Sequence, residues 1–187
     1  MLISLTAISC VAAALLAFIF QLTAEPIATS QMNNLLEGIS TVCPPYDNNP
    51  YEEAITVEMN GGVIKIYPAR QGGTLQGAAV ESFTNSGFGG TIRILVGISE
   101  ENKLVDYTVL QHAETPGLGD KMQEWFRVEG TAQDVRGRDL TTPLTVSKDG
   151  GEVDAITAAT ISSRAFLEAV NSAFAAYSEA KSNGQLQ

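Results

Sequence analysis

Uncharged, mostly hydrophobic residues fill the first 24 positions of the chain, and the first charged side chain is Glu25. A helix rises about 1.5 Å per residue, so a helix of this length covers roughly 36 Å. The hydrocarbon core of a bilayer is about 30 Å thick. The pattern therefore predicts a transmembrane helix over residues 1–24.

A cleaved signal peptide and a lipoprotein anchor are the two competing interpretations of this segment. A signal peptide has a basic n-region and an apolar stretch of about 7 to 15 residues, whereas this segment has no basic residue and a longer apolar run. A lipid anchor at Cys10 would be followed by a polar tether, but the apolar run continues beyond it. We favour a retained transmembrane anchor.

Alternation of apolar and polar positions marks the middle of the chain as β-structure. Before it, residues 25–62 are more polar, with a helix-compatible piece near 30–40 and a loop rich in Pro and Asn over 43–50. The predicted strands are Val63–Tyr67, Leu75–Phe83, Thr91–Ile98 and Leu104–Leu110. In the third of them, isoleucine and valine at 92, 94, 96 and 98 alternate with polar or small residues at period two. Two short strands, 144–146 and 152–155, are predicted to form a second hairpin around Asp149-Gly150-Gly151, because two glycines accept positive φ.

A helix is predicted from about Ser162 to Ala180, because apolar residues recur there at three- and four-residue spacing. The preceding segment, 157–163, is rich in hydroxyl groups where the first backbone N–H groups of a helix lack partners. These hydroxyls either cap the helix or belong to an anion site, since free N–H groups and the helix dipole both favour a phosphate. Ala158 and Ala159 would let such a group come close.

The predicted elements define an α+β protein with one N-terminal transmembrane helix and a single soluble domain. That domain contains an antiparallel or mixed sheet with packed helices. We divide the chain into the transmembrane helix (1–24), a connecting helix and loop of the soluble domain (25–62) and the main part of that domain (63–187).

Composition excludes several classes of function. The chain has 11 Lys and Arg against 21 Asp and Glu, a net charge of −10, which argues against nucleic-acid binding. One histidine and two cysteines cannot supply a two-imidazole zinc or haem site or a Cys₄ site, so no metal is expected unless carboxylates bind it. Ser86–Gly90 is not a dinucleotide fingerprint, because Ile92 stands where the last glycine should be. P-loop and G-x-S-x-G motifs are absent as well.

Three segments resemble motifs of the FMN-binding domain family. Asp154–Thr160, with the sequence DAITAAT, is similar to its flavinylation motif D-x-x-[ST]-G-A-[ST]. His112–Gly119, HAETPGLG, is similar to its second signature, and Gly87–Gly90 precedes both in the expected order. The resemblance covers nearly the whole chain and implies FMN as the cofactor.

The resemblance implies that FMN is bound covalently to Thr160 through a phosphoester, installed by a flavin transferase with FAD as donor. The negative phosphate would then lie at the predicted helix N-terminus. Asp154 and Thr157 would position the motif for the transferase, and Ala158, Ala159 and Ile161 would complete this part of the cofactor site. Ala158 replaces the usual glycine of the family, which costs about 1 kcal/mol if the backbone there requires positive φ.

The second signature would border the isoalloxazine ring. On the resemblance we expect Leu118 to pack near the ring, with Thr115 and backbone groups such as that of Gly117 offering hydrogen bonds. His112 and Glu114 would shape the loop or tune the flavin electrostatically. The competing interpretation is a plain turn, which Thr115-Pro116-Gly117 favours in any case.

Within the family, the short length and single span resemble the G subunit of the Rnf ion-translocating electron-transport complex. The C subunit of the Na⁺-translocating NADH:quinone reductase ranks second, because it is usually longer. The resemblance implies an electron-transfer subunit of a ferredoxin:NAD⁺ oxidoreductase that translocates ions, with iron-sulfur and flavin partner subunits. Two interpretations from different classes compete with it: a regulatory or assembly protein with the same flavin domain, and a flavin-free domain in which Thr160 only caps a helix.

The expected location is the cell inner membrane, with the soluble domain on the periplasmic or outer side. The basic residue nearest the span is Lys65, so no positive charge close to the span retains the C-terminal side in the cytoplasm.

Overall fold

A computed structural model describes residues 2–59 and 61–186. The chain divides into two compact units between Leu35 and Leu36. Helix α1, Leu2–Val42, begins in the first unit and ends in the second. In the first unit its apolar side chains are exposed, and the helix is long and apolar enough to cross a membrane, with a mean hydropathy of 2.5 over 18 residues.

The second unit is built on an antiparallel sheet of five strands in sequential order. The strands are β1 Ile55–Met59, β2 Gly62–Gln71, β3 Thr74–Thr84, β4 Ile92–Ser99 and β5 Leu104–Gln111. The predicted strands 63–67, 75–83, 91–98 and 104–110 are thus confirmed as β2–β5. Strand β1 is an addition, because residues 25–62 were expected to hold only a helix and a loop.

Each face of the sheet is covered by a different segment. Helix α3, Thr160–Ser182, packs on one face, where Phe166 stacks on Phe126 with ring centroids 4.5 Å apart. On the other face, the last turns of α1 pack so closely on β4 that a Cβ on Gly97 would overlap the carbonyl oxygen of Val42. Tyr51 stacks on Tyr67 on the same side, at 6.1 Å. The sheet is therefore buried between two layers.

The segment between the sheet and α3 is mostly irregular. It contains the short helix α2, Met122–Trp125, and a 3₁₀ turn, Ser147–Asp149. The predicted hairpin over 144–155 is wrong, because Val146 and Val153 form one isolated bridge of parallel sense. The N–H of Asp149 donates to Val146 O and that of Gly150 to Ser147 O, so the 3₁₀ turn takes up backbone groups that a hairpin would need.

Helix α3 begins two residues earlier and ends two residues later than the predicted range Ser162–Ala180. Of the apolar face predicted for this helix, Phe166, Val170, Ala173 and Tyr177 are buried and Phe174 is half-buried. Its first turn contacts the loop after β5 through Ser162 and the 3₁₀ turn through Thr160.

Candidate functional site

A tight turn leads into α3. The N–H of Ala159 donates to Ile156 O at 3.0 Å, and Ala158, inside this turn, has φ of +63°. A left-handed backbone is unfavourable for an L-residue with a Cβ. The alanine that replaces the family's usual glycine therefore stands where the backbone does require positive φ.

The first turn of α3 keeps its N–H groups available. In the described part of the chain no side chain caps this helix end, and the residue preceding the helix is Ala159. Ser163 Oγ instead donates to Ala159 O at 3.0 Å and accepts from the N–H of Ile156 at 2.9 Å, which fixes the turn against the helix. Thr160, the first helical residue, accepts a hydrogen bond from Lys148 Nζ at 3.0 Å. The Thr160 hydroxyl therefore does not cap the helix, which was the alternative role considered for it.

The loop after β5 reaches the same helix end through Glu114. This carboxylate is buried, with 5% of the residue exposed. It accepts from Ser162 Oγ at 2.5 Å and from the N–H of Gly89 at 3.0 Å. Glu114 thus joins three segments: its own loop, the glycine-rich loop before β4 and the start of α3.

Glycines make this convergence possible. A Cβ on Gly89 would overlap the carbonyl of Ala113, and a Cβ on Gly119 would lie 2.6 Å from Glu114 Oε2. Gly117 has φ of +77° in the turn closed by Leu118 N–H and Thr115 O, where the order Pro-Gly is typical of a type II turn. The glycines of the loop before β4 therefore allow two loops to pack closely, and they do not form a binding site for a dinucleotide phosphate.

The three segments enclose a cavity of about 310 Å³, within the range of small-molecule sites. Exposed apolar side chains form its rim, and the first residues of α3 also line it. The lining residues are Phe88, Glu114, Thr115, Leu118, Gly119, Ala158, Ala159, Thr160, Ile161 and Ser162. The rim suits a planar aromatic ring, and the helix N-terminus with Lys148 suits a phosphate. The donor set therefore fits FMN.

Seven of the eleven site residues proposed from the sequence line this cavity: Glu114, Thr115, Leu118, Ala158, Ala159, Thr160 and Ile161. The other four lie outside the lining. Thr157 is exposed in the turn before α3, and Gly117 is exposed in the loop turn. His112 is exposed and accepts the N–H of Glu114 at its Nδ1, at 3.2 Å, which fits a loop-shaping role.

Asp154 makes its contact away from the cavity. Its Oδ1 accepts from Ser147 Oγ at 3.0 Å, and its backbone carbonyl accepts from Trp125 Nε1 at 2.9 Å. The carboxylate therefore supports the 147–149 turn, which carries Lys148 to Thr160.

Sequence reasoning missed four residues of this site: Phe88 as a lining residue, Gly119, Ser162 and Lys148. Phe88 and Gly119 belong to the quoted motifs, and Ser162 to the hydroxyl-rich segment, so their positions were marked without a role. Lys148 is twelve residues from Thr160 in a segment interpreted as a hairpin, and no local pattern connects the two.

Comparison with known proteins agrees with this geometry. The sequence model of the FMN-binding domain matches residues 87–175, which contain every residue lining the cavity. The chain therefore carries an FMN-binding domain.

Similarity to complete proteins extends beyond that domain. The G subunit of the ion-translocating oxidoreductase complex of Vibrio cholerae serotype O1 is 34% identical over 179 residues, 90% of this chain and 85% of that protein. The G subunits of Cereibacter sphaeroides (34% over 174 residues; 87% and 76%) and Aliivibrio fischeri (35% over 173 residues; 87% and 81%) are similar to the same degree. The chain belongs to the family of G subunits of ion-translocating oxidoreductase complexes.

Proposed function

We propose that this protein is the membrane-anchored electron-transfer subunit of an Rnf-type ion-translocating oxidoreductase, with FMN covalently bound at Thr160. Membership of the G-subunit family supports the redox role and the place in a complex with other subunits. The observation that carries the assignment of the site is the Thr160 hydroxyl, which lines the cavity at the N-terminus of α3.

Attachment to Thr160 is a phosphoryl transfer catalysed by a separate flavin transferase. A bond forms between Thr160 Oγ1 and the phosphorus on the FMN side of FAD, and the bond from that phosphorus to AMP breaks. AMP leaves, and the hydroxyl proton of Thr160 passes to a base of the transferase. The product is a phosphodiester with one negative charge, which the free N–H groups of the first turn of α3 stabilise.

The rim of the cavity is where the isoalloxazine ring would lie. Phe88, Leu118 and Ile161 are 69%, 38% and 49% exposed, a high exposure for large apolar side chains close to one another. When bound, the flavin supplies one- and two-electron redox chemistry. Thr115 and the N–H groups of the loop offer hydrogen bonds to the polar edge of the ring, while Glu114 holds the loop in place.

In this proposal the second unit lies on the periplasmic or outer side of the inner membrane, because the basic residue nearest the span is Lys65. An exposed reporter thiol tests the side. In a chain with Cys10→Ser and Cys43→Ser, Glu152→Cys places a thiol at an exposed position. A membrane-impermeant maleimide should label intact spheroplasts through it; labelling only after lysis would place the unit in the cytoplasm.

Electron transfer is tested in membranes that contain the assembled complex. Thr160→Ala removes the hydroxyl that would be esterified, while Thr160→Ser retains one. We expect ferredoxin-dependent reduction of NAD⁺ to be lost with Thr160→Ala and kept with Thr160→Ser. Full activity of Thr160→Ala would contradict the proposal, and loss of NADH-dependent quinone reduction instead would assign the chain to the related quinone reductase.

A further inference from the structure

We propose that Lys148 is the residue that positions the phosphate at Thr160, both during its transfer and in the finished phosphodiester. The proposal rests on the proposed attachment of FMN to Thr160. It assigns a role to a side chain outside the flavinylation motif, on a turn that the fold brings to the start of α3.

The central observation is the contact between Lys148 Nζ and Thr160 Oγ1, 3.0 Å apart. Thr160 Oγ1 is the atom that would bond to phosphorus, so the ammonium group lies beside the place where the phosphate would be attached. A hydrogen bond from an ammonium to a phosphate is charge-assisted and stronger than one to a neutral hydroxyl. The lysine is therefore better suited to the esterified state than to the free hydroxyl.

The backbone that carries Lys148 is held on both sides. Ser147 Oγ donates to Asp154 Oδ1 at 3.0 Å. Asp149 accepts two hydrogen bonds from the guanidinium of Arg164, in the first turns of α3, each at 2.7 Å. Gly150, with φ of +86°, closes the 3₁₀ turn. The long lysine side chain therefore starts from a fixed point next to α3.

Because the neighbouring carboxylates have other partners, the positive charge of Lys148 is available to a phosphate at Thr160. The pKa of Asp149 is lowered by its hydrogen bonds from Arg164, so this carboxylate stays ionised and paired with that arginine. Asp154 is engaged with Ser147. Lys148 thus offers its positive charge to the phosphate, while the neighbouring acidic groups have partners of their own.

This arrangement also gives a physical role to Asp154, the first residue of the flavinylation motif. Its carboxylate does not approach Thr160; it acts through Ser147 on the turn that carries Lys148. Asp154 is therefore a positioning residue, and Lys148 contacts the reacting atoms. During transfer, the ammonium would offset the negative charge on the phosphorus-bound oxygens as the Thr160 Oγ1–P bond forms and AMP leaves.

The test is the initial rate of FMN incorporation into the full-length apo-protein in detergent. Purified flavin transferase and FAD are added, and intact mass is followed over time. The variants are Lys148→Met, which removes the charge at similar length, and Lys148→Arg, which keeps it. Lys65→Met is the matched control, because Lys65 is an exposed lysine on β2, away from the cavity lining.

We expect Lys148→Met to slow incorporation about tenfold, the order expected when one charge-assisted hydrogen bond to a phosphate is lost. Lys148→Arg should restore most of the rate, and Lys65→Met should match the wild type. The fluorescence of Trp125 should show the same urea midpoint for all four proteins, since Lys148 is exposed.

Two results would overturn the inference: Lys148→Met incorporating FMN as fast as the wild type, or Lys148→Arg being as slow as Lys148→Met. Failure of the proposed function gives a different result, because the wild-type chain itself would then gain no FMN from an active transferase.

Discussion

At the scale of single residues, Ala158 is the position at which the backbone of this site is strained. Its φ of +63° lies in the left-handed region, in the turn before the helix that would hold the phosphate. Glycine adopts this conformation without the Cβ penalty of roughly 1–2 kcal/mol, but it also gives up more freedom on folding, about 0.4–1 kcal/mol. The difference favours glycine here.

Ala158→Gly should therefore raise the free energy of unfolding by about 0.5–1 kcal/mol. Ala175→Gly is the matched control, because Ala175 is exposed inside α3, where glycine costs about 1 kcal/mol. Urea unfolding of the full chain in detergent, followed through its single tryptophan, measures both. Destabilisation by Ala158→Gly to the extent of Ala175→Gly would contradict the strained-turn account.

Glu114 is the second residue on which the site depends. Truncation to alanine would leave the buried Ser162 Oγ, and with it the N–H of Gly89, without this acceptor. We expect Glu114→Ala to lower the free energy of unfolding by about 2 kcal/mol. Glu168→Ala, at an exposed position of α3, should change it by less than about 0.5 kcal/mol. Equal effects in the same urea titration would show that Glu114 does not join the three segments.

At the scale of elements, the packing of the last turns of α1 on the sheet depends on one glycine of β4. A Cβ on Gly97 would overlap the carbonyl oxygen of Val42, so neither backbone can keep its place once a side chain is added. We expect Gly97→Ala to cost about 3 kcal/mol, because the overlap is with backbone and not with a flexible side chain.

Gly73→Ala is the comparison for this prediction. Gly73, in the turn between β2 and β3, has φ of +81° and open space around its Cβ position, so alanine should cost only roughly 1–2 kcal/mol of backbone strain. Far-ultraviolet circular dichroism of thermal unfolding in detergent ranks the two variants. A smaller effect at Gly97 than at Gly73 would rule out the close packing of α1 on β4.

The elements also show what sequence patterns can and cannot predict. Strand β4 follows from alternation, because Ile92, Ile94, Val96 and Ile98 all belong to the core that packs against α3. The hairpin over 144–155 was wrong because Asp149 and Gly150 close a 3₁₀ turn, and the segments on either side of it meet in a single bridge of parallel sense between Val146 and Val153. A pair of glycines indicates a turn, but it does not show whether the segments on either side pair as antiparallel strands.

The site was predictable to the extent that its residues belong to local motifs. The resemblance of two motifs to the FMN-binding domain family identified residues 158–161 together with Glu114, Thr115 and Leu118, and all of these line one cavity. Lys148 depends on a contact across twelve residues, and the pairing of Glu114 with Ser162 on one across forty-eight. Such contacts are set by the packing of α3 against the loops, for which a single sequence carries no local signal.

At the scale of the whole molecule, Cys43 reports whether the second unit is folded. Burial raises the pKa of its thiol from 9.0 to about 12. The folded state thus holds this proton more tightly than the unfolded state does. The resulting stabilisation is complete below about pH 9 and is lost as the pH rises from 9 to 12.

Labelling with iodoacetamide at pH 8.5 tests this prediction in a Cys10→Ser chain, where Cys43 is the remaining cysteine. Three pKa units correspond to roughly a thousandfold less thiolate, so native protein should react at least about a hundredfold more slowly than protein in urea. The exposed Glu152→Cys thiol, in a chain without Cys10 and Cys43, should react equally fast in both conditions. Rapid labelling of native Cys43 would contradict the partial burial of its thiol.

Covalent attachment of FMN to Thr160 is tested by the intact mass of the full chain produced together with an active flavin transferase. Fragmentation then assigns any added mass to a peptide. We expect an increment of FMN minus water on Thr160 in the wild type and at the same position in Thr160→Ser, with no increment in Thr160→Ala. An unmodified wild-type chain beside a modified positive-control substrate, or FMN on another residue, would contradict it.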